Sequence, residues 1–389
     1  MSKWDVVQLS DIASVMTYGD WIESKDQSPD GIRLLQVGNI GKGHYINKAD
    51  RAKYISKETF VKLKCTEVFD GDVLVSRLPD PIGRACIVPK LDTKLITAVD
   101  CTIIRTLDKK CCTRYLIHFL CSPRYFWQIE KFIVGSTRSR ISRTNLQSIF
   151  IPLPPLPIQQ KLADILDQTN ALIEKRKAQI AKLDLLVKSR FIEMFGSGLG
   201  KDTVELKDVC SIITDGTHQS PKFTKSGIPF LLVSNIVDNK LTYETKKLIS
   251  REEYETLTKR TPVEVGDLLL TIVGSYGNPA IVKTTQEFCF QRHIAYIKPK
   301  HDIIDSMYLH AAFLSNAIKR QIEVKVKGVA QKTLNLFELK TIKINLPPLP
   351  LQNRFAEFVQ AVDKTKFEIQ SSLNKLELLY KSLMQQYFC

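Results

Sequence analysis

The sequence predicts an α+β protein of two similar domains, related by a pseudo-twofold axis and separated by two long helices that form an antiparallel coiled coil. Three observations predict it. The chain is written twice with a period near 195 residues. Each copy opens with short β-branched runs broken by Gly, Pro, Asn and Asp. Each closes with a proline-rich hinge and a long stretch of apolar residues three and four apart.

The repeat rests on anchors that recur in one order. Leu9-Ser-Asp-Ile12 matches Leu206-Lys-Asp-Val209, and Gly31–Ile40 matches Gly227–Ile236. Gly71-Asp-Val-Leu74 matches Gly266-Asp-Leu-Leu269, Tyr115-Leu116 matches Tyr308-Leu309, and Phe195 matches Phe388. The offset drifts only from 197 to 193 along the chain. Solenoid repeats run to about 20–50 residues, so a period this long means a duplicated domain set. The predicted boundaries are residues 1–150 for the first domain, 151–200 for a hinge and helix, 201–345 for the second domain, and 346–389 for the second hinge and helix.

Within each copy, Val73–Ser76 and Leu268–Ile272 follow Gly-Asp turns and read as strands. An apolar helix is expected near Arg114–Ile133 and again near Ser306–Val324. The hinges are Ile151-Pro-Leu-Pro-Pro-Leu-Pro157 and Leu346-Pro-Pro-Leu-Pro350. Proline fixes φ and lacks a donor, so both should be stiff, extended entries to helices. The first long helix should run from about Ile158 to Phe195, with Ile158, Leu162, Ile165, Thr169, Leu172, Arg176, Gln179, Leu183 and Leu186 on one stripe. A second stripe, Leu166, Ile173, Ile180 and Val187, repeats every seven. The second helix, about Gln352 to Phe388, has the same spacing from Phe355 through Leu379 to Leu383. The simplest burial for both is against each other; separate packing of each on its own domain is the alternative.

The net charge is +15, with 30 Lys and Arg against 21 Asp and Glu up to Phe195 and 26 against 20 beyond it. An excess built into both halves fits a polyanionic partner such as nucleic acid, although a generally basic solvated surface would look the same. The nine cysteines contain no C-x-x-C pair. Cys111, Cys112 and Cys121, with His118 nearby, fall on an apolar helix and are expected to be buried free thiols rather than metal ligands. No signal peptide or membrane span is apparent, so a cytoplasmic protein with no membrane partner is expected.

Catalytic signatures are missing. Phe195-Gly-Ser-Gly-Leu-Gly200 superficially resembles a nucleotide-binding loop, but a long helix precedes it and the second copy follows, so it reads as a linker. No phosphate-binding P-loop is present, and the Pro-Pro pairs sit between leucines rather than in the loop an amino-methyltransferase uses to hold a flipped base. Binding chemistry remains. Lys131, Arg138, Arg140 and Arg143 lie in a stretch without acids between Glu130 and Asp164. Its counterpart carries Lys325, Lys327, Gln331 and Lys332, with no acid before Glu338. Arginine can read guanine edges bidentately, and Gln can read adenine; Gly135 and Gly328 would admit a close backbone approach. The alternative is a solvated charge run. A second candidate pair is the loop after each Gly-Asp strand: Arg77 to Arg84, and Val273 to Asn278 with Ser275, Tyr276 and Asn278. An ordinary hairpin turn would have the same composition. A third pair is Thr17–Asp20 with Trp21, and Thr214–Gln219.

With two variable domains, each closed by L-P-P-L-P-x-Q and a long helix, the chain resembles the specificity subunits of type I restriction–modification systems. Val37-Gly-Asn-Ile40, Val233-Ser-Asn-Ile236 and Arg190-Phe-Ile-Glu-Met-Phe-Gly196 add to the resemblance, which covers essentially the whole chain. The second hinge departs slightly, starting with Asn345 where the first has Ile151-Pro152. The resemblance implies two target-recognition domains, each reading one half of a split asymmetric site on double-stranded DNA. It implies helices that set the spacing and dock two methyltransferase subunits, with motor-nuclease restriction subunits joining that assembly. It implies no cofactor in this chain, S-adenosylmethionine, ATP and magnesium being held by the partner subunits. A self-sufficient methyltransferase or nuclease, and a coiled-coil adaptor without a DNA role, are the other classes open to the residues alone.

Overall fold

The structure is a computed structural model describing residues 4–133, 139–328 and 331–388. It divides into two compact units: Met1–Lys177 with Ser371–Cys389, and Ala178–Gln370.

In the first unit the strands are β1 (Val6–Gln8), β2 (Ala13–Tyr18), β3 (Gln27–Ser28), β4 (Ile32–Leu35), β5 (Lys53–Ile55), β6 (Val73–Ser76), β7 (Ala85–Ile87), β8 (Leu95–Thr97), β9 (Cys101–Thr106) and β10 (Phe150–Pro152). The helices are α1 (Lys57–Lys62), α2 (Thr113–Phe119), α3 (Pro123–Glu130), α4 (Arg143–Gln147) and the start of α5 (Leu156–Phe195). One sheet has the order β2-β9-β6-β7, a second β3-β5-β4-β8, and β1 pairs with β10.

The central strand β6 shows why its sequence is apolar throughout instead of alternating. Val73 and Val75 face a core built around Tyr115, Phe119 and Tyr125, while Leu74 faces a second core with Leu35 and Ile103. A strand covered on both faces has no polar side to present.

The second unit repeats this plan. It holds β11 (Thr203–Glu205), α6 (Leu206–Val209), β12 (Cys210–Asp215), β13 (Phe223–Thr224), β14 (Ile228–Leu231), β15 (Ile236–Val237), β16 (Lys240–Leu241), β17 (Leu248–Ile249), α7 (Arg251–Leu257), β18 (Leu268–Thr271), β19 (Pro279–Ile281), β20 (Cys289–Phe290), β21 (Ile294–Pro299), α8 (Ser306–Leu314), α9 (Asn316–Lys325), α10 (Leu336–Lys340), β22 (Lys343–Asn345) and the start of α11 (Leu349–Phe388). The orders β12-β21-β18-β19 and β13-β17-β14-β20 match the first unit strand for strand, and β11 pairs with β22 as β1 does with β10. The register irregularity between Ala13 and Val15 recurs between Cys210 and Ile212.

Both long helices contribute to both units. In the first, Leu162 and Leu166 near the start of α5 share a core with Met384 and Phe388 at the end of α11. In the second, Phe191 near the end of α5 meets Phe355 near the start of α11, ring centroids 5.5 Å apart. Start meeting end in each unit makes the pairing antiparallel. The buried seam differs from either stripe taken alone: Leu162, Leu166, Thr169 and Ile173 alternate between the two, while Leu172, Leu186 and Leu379 are exposed. A strict 3-4 alternation follows the 3.5-residue coiled-coil repeat, whereas a stripe traced by every 3–4 step drifts around a 3.6-residue helix.

Candidate nucleic-acid interface

The loops are mounted on a frame tied together the same way in each copy. Gln159, the last residue of L-P-P-L-P-x-Q, is buried; its Oε1 accepts from Cys112 N at 2.8 Å and its Nε2 donates to Lys110 O and Pro154 O at 2.9 and 2.8 Å. Gln352 does the same for Asp305 N, Ile303 O and Pro347 O at 2.8, 3.2 and 2.8 Å. The Tyr115 hydroxyl donates to Pro152 O, and that of Tyr308 to Asn345 O, both at 2.7 Å. The hinge is thereby fixed to the helix that carries the recurring Tyr-Leu. Sequence reasoning quoted both motifs and missed this bond; the only polar side chain in each apolar hinge was the available signal.

In the first copy the separate loops converge. Ile141 N donates to Arg77 O at 3.3 Å, and the Arg77 Nε returns a bond to Ile141 O at 3.0 Å. The Arg77 guanidinium also donates to Val99 O at 3.1 Å and stacks 3.9 Å from the centroid of the Tyr18 ring. Arg143 lies 5.1 Å from the same centroid, and its backbone N–H donates to the Tyr18 hydroxyl. Arg77 is only 8% exposed, so its place in this cluster is that of a brace. Arg84 is a second brace: Nε donates to Ile40 O, Nη1 to Leu78 O and Pro81 O, and Nη2 to Val37 O. Four of its five N–H groups are committed to carbonyls. Arg140 is exposed and Arg143 half-buried. Lys131 is exposed further along, its Nζ 3.1 Å from the centroid of Trp127. Arg138 and Gly135 lie outside the described residues.

The second copy brings the equivalent loops together. Leu334 N donates to Ile272 O at 2.8 Å and Gly274 N to Lys332 O at 3.0 Å. Thr333 bridges both Val273 and Lys327. Gly328 turns that hairpin at φ +104°, where a Cβ would sit 2.4 Å from Gln331 O, so glycine is required by the tight backbone approach. Asn278 Nδ2 donates to the Ser275 hydroxyl at 2.9 Å and holds its loop closed, and Tyr276 packs partly on the core. Gln331 and Lys332 are exposed. Lys325 and Lys327 both pair with Glu338, at 3.1 and 3.3 Å, and the two ammonium groups hold its carboxyl below the usual range. This rim therefore carries less free positive charge than the sequence stretch alone suggests.

Cys111, Cys121 and His118 are structural in their surroundings. Burial pushes Cys111 up to about 12 and Cys121 to about 11, so both are neutral thiols. His118 bonds Asp167 through Nε2 at 2.7 Å and faces the Tyr380 hydroxyl through Nδ1 at 3.3 Å. Among the described residues no group of three or more His, Cys, Asp and Glu is placed to hold a metal ion, and no helix is long and apolar enough to cross a membrane.

The duplicated α+β frame presents unlike polar and basic loops at equivalent places, a surface of the class that contacts nucleic acid. The family model of the type I restriction modification DNA specificity domain matches residues 1–183 and again 199–378. The chain belongs to that family, whose role is to specify DNA. The EcoBI specificity subunit of Escherichia coli is 24% identical over 99% of this chain and 85% of its own length. A putative MjaX specificity subunit of Methanocaldococcus jannaschii is 26% identical over 96% and 91%. Among solved structures, the S subunit of a type I restriction–modification system from M. genitalium matches with a TM-score of 0.62 at 14% identity, covering 100% of this chain and 96% of that one. A chain from a study of complex assembly and conformational transition in the type I R-M system matches at 0.59 and 18% identity, covering 99% and 97%. At these identities the structures bear on the fold.

Proposed function

We propose that residues 1–150 and 201–345 are two target-recognition domains, each reading one half of a bipartite, asymmetric site on double-stranded DNA, and that the hinge-and-helix segments 151–200 and 346–389 set the spacing between halves. One observation carries this reading. Two frames that match strand for strand hold different side chains at equivalent loop positions. Identical readers would select a symmetric site; unlike readers select unlike half-sites. In the first domain Arg140 and Arg143 contact DNA with Lys131 and Arg138, while Arg77 and Arg84 hold their loops in place. In the second, Gln331 and Lys332 make contacts together with Lys327, which pairs with Glu338 but stays largely exposed, Ser275, Tyr276 and Asn278 shape the neighbouring loop, and the less exposed Lys325 is held back by Glu338.

The same helices dock two methyltransferase subunits. Leu185-Leu186 in one unit and Leu378-Leu379 in the other are exposed pairs at repeat-equivalent positions, 193 residues apart. Two equivalent apolar patches suit two copies of one partner. Restriction subunits with motor and nuclease activity complete the assembly in the cytoplasm, and S-adenosylmethionine, ATP and magnesium belong to those partners.

A domain exchange tests the reading. Val6–Phe150 is replaced by the equivalent domain of a relative, and the methylated sites are mapped in DNA from cells carrying the whole system. One half-site should change while the other half and the spacing persist. Simultaneous change of both halves would overturn it.

A further inference from the structure

Each copy turns a corner at a glycine that no other residue could replace. Gly19 N donates to Cys101 O at 3.0 Å, Asp20 N to Thr97 O at 2.8 Å, and Val99 N returns to Asp20 O at 2.9 Å. A Cβ on Gly19 would lie 2.3 Å from Thr97 O. In the second copy Gly216 N donates to Ile294 O at 3.1 Å, Thr217 N to Phe290 O at 3.0 Å, and Arg292 N to Thr217 O at 3.0 Å. A Cβ on Gly216 would lie 2.2 Å from Phe290 O. The strands fix both corners, so the side chain two residues beyond each glycine is presented from rigid backbone. Those side chains are Trp21 and His218, 197 residues apart. Both are planar rings and both are exposed, Trp21 to 71%. Trp21 Nε1 donates to Glu23 at 3.3 Å, and His218 Nε2 faces Asp215 at 2.8 Å, which steers each ring without covering its faces.

The first corner also adjoins the arginine cluster. Val99 bonds Asp20 through its N–H and receives the Arg77 guanidinium on its carbonyl. Tyr18, three residues before Trp21, lies between Arg77 and Arg143. The indole is exposed and lies three residues from Tyr18, whose ring carries Arg77 and Arg143. Duplex DNA turns base edges to a protein in the major groove, where the thymine methyl offers an apolar contact to such a ring, and phosphates offer charge to the arginines nearby.

We propose that Trp21 and His218 are base-contacting residues, each packing its ring against a base edge in the major groove at the margin of the half-site read by its own domain. The proposal rests on the reading of the two domains as DNA readers and adds residues that reading does not require. Trp21 sets base preference at one position in the first half-site, and His218, with a smaller and more polar ring, sets a different one in the second.

The test uses the chain assembled with its own methyltransferase subunits and duplexes carrying the sequence that the complex selects from a random pool. Pyrimidines in and beside each half-site are replaced one at a time by their 5-iodo analogues, irradiated, and the cross-linked peptides identified by mass spectrometry. Cross-links from one half-site are expected on the Trp21 peptide and from the other on the His218 peptide. Trp21→Ala should weaken binding to the selected duplex by roughly tenfold or more, the scale of one lost base-edge contact. The salt slope should stay unchanged because no phosphate contact is lost. Trp21→Phe should recover most of the loss. His218→Ala should relax selection only in the other half-site. Cross-links that avoid both peptides, or a Trp21→Ala complex with unaltered affinity and selection, would overturn the proposal. So would a loss shared equally by selected and random duplexes. A wild-type complex that selects no sequence would instead remove the DNA-reader reading beneath it.

Discussion

Replacing Gln159 with Leu keeps the side-chain volume and removes all of its polar atoms. One buried and two partly buried groups then lose their partner: the Pro154 carbonyl, and the Cys112 N–H and Lys110 carbonyl, now bonded at 2.8, 2.8 and 2.9 Å. A stranded buried group costs about 1–3 kcal/mol. Carbonyls have a second lone pair and tolerate this better than an N–H does, so the expected total is about 2–4 kcal/mol rather than three full penalties. Local opening should then make the Cys112 amide exchange with deuterium about 30- to 1,000-fold faster, at about 1.4 kcal/mol per decade. Gln352→Leu should do the same to the Asp305 amide, whose N–H is bonded to Gln352 at 2.8 Å. Gln160→Leu, at an exposed neighbouring position, is the control and should leave both amides unchanged. Unaltered exchange at Cys112 in Gln159→Leu, with an unmoved thermal midpoint, would refute the assignment of this glutamine as the pin of the hinge.

Changing Arg138, Arg140 and Arg143 to Ala should weaken DNA binding by the assembled complex; a salt titration should show the slope falling by about one per lost phosphate contact, or a selection assay a preference relaxed at a cost of about 1–3 kcal/mol per lost base contact. Unchanged affinity, slope and preference would make the stretch a solvated face. Adding seven residues to both α5 and α11, between Lys177 and Ala178 and between Gln370 and Ser371, preserves the heptad seam and adds about 10 Å of helix. Mapped sites should then gain about three base pairs of spacing with both halves kept; altered half-sites at the old spacing would contradict the ruler. His118 gives a pH prediction. Burial holds its imidazole below the ordinary 6.5, outweighing the Asp167 bond that pulls it up. The unfolded chain therefore takes up the proton first, so stability is full above pH 6.5 and falls as the pH drops below it. His118→Gln should flatten that limb of the thermal unfolding profile between pH 8 and 5, and an unchanged slope would assign it to other groups.

The sequence made the duplication, the hinges and the long helices legible because each leaves a long-range regularity: a repeat, a proline cluster, a heptad. The second sheet of each unit leaves none. Its strands are two to four residues long, and β4 pairs in parallel with β8, setting Arg33 against Leu95 across a long loop. Pairing of that kind is decided by tertiary packing, not by local pattern. Arg77 was legible as a loop arginine but not as a buried one. Its backbone N–H donates to Asp100 O as that of Ile272 does to His293 O, so the two residues occupy one position. A position filled by isoleucine in the other copy is a core position, and Arg77 meets the demands of that place by giving its guanidinium to carbonyls and a tyrosine ring.

That comparison separates what the two copies hold in common from what they do not. Gln159 and Gln352, Tyr115 and Tyr308, Gly19 and Gly216, and Asp72 and Asp267 are identical in type and make the same backbone-directed bonds. All lie inside the frame or at its corners. Trp21 stands where the other copy has His218, Arg84 where it has Asn278, and Arg140 where it has Thr333, each on a loop carried by the same frame. If the loops were only solvated connections, their differences would carry no pattern and braces such as Arg84 would have nothing to hold. Instead Arg84 spends four N–H groups fixing one loop, and Asn278 closes the equivalent loop by a shorter route through Ser275. Different residues have been fitted to hold different loop shapes on one scaffold. A surface whose shape is held so firmly in each copy, and differently in each, is suited to reading two different half-sites.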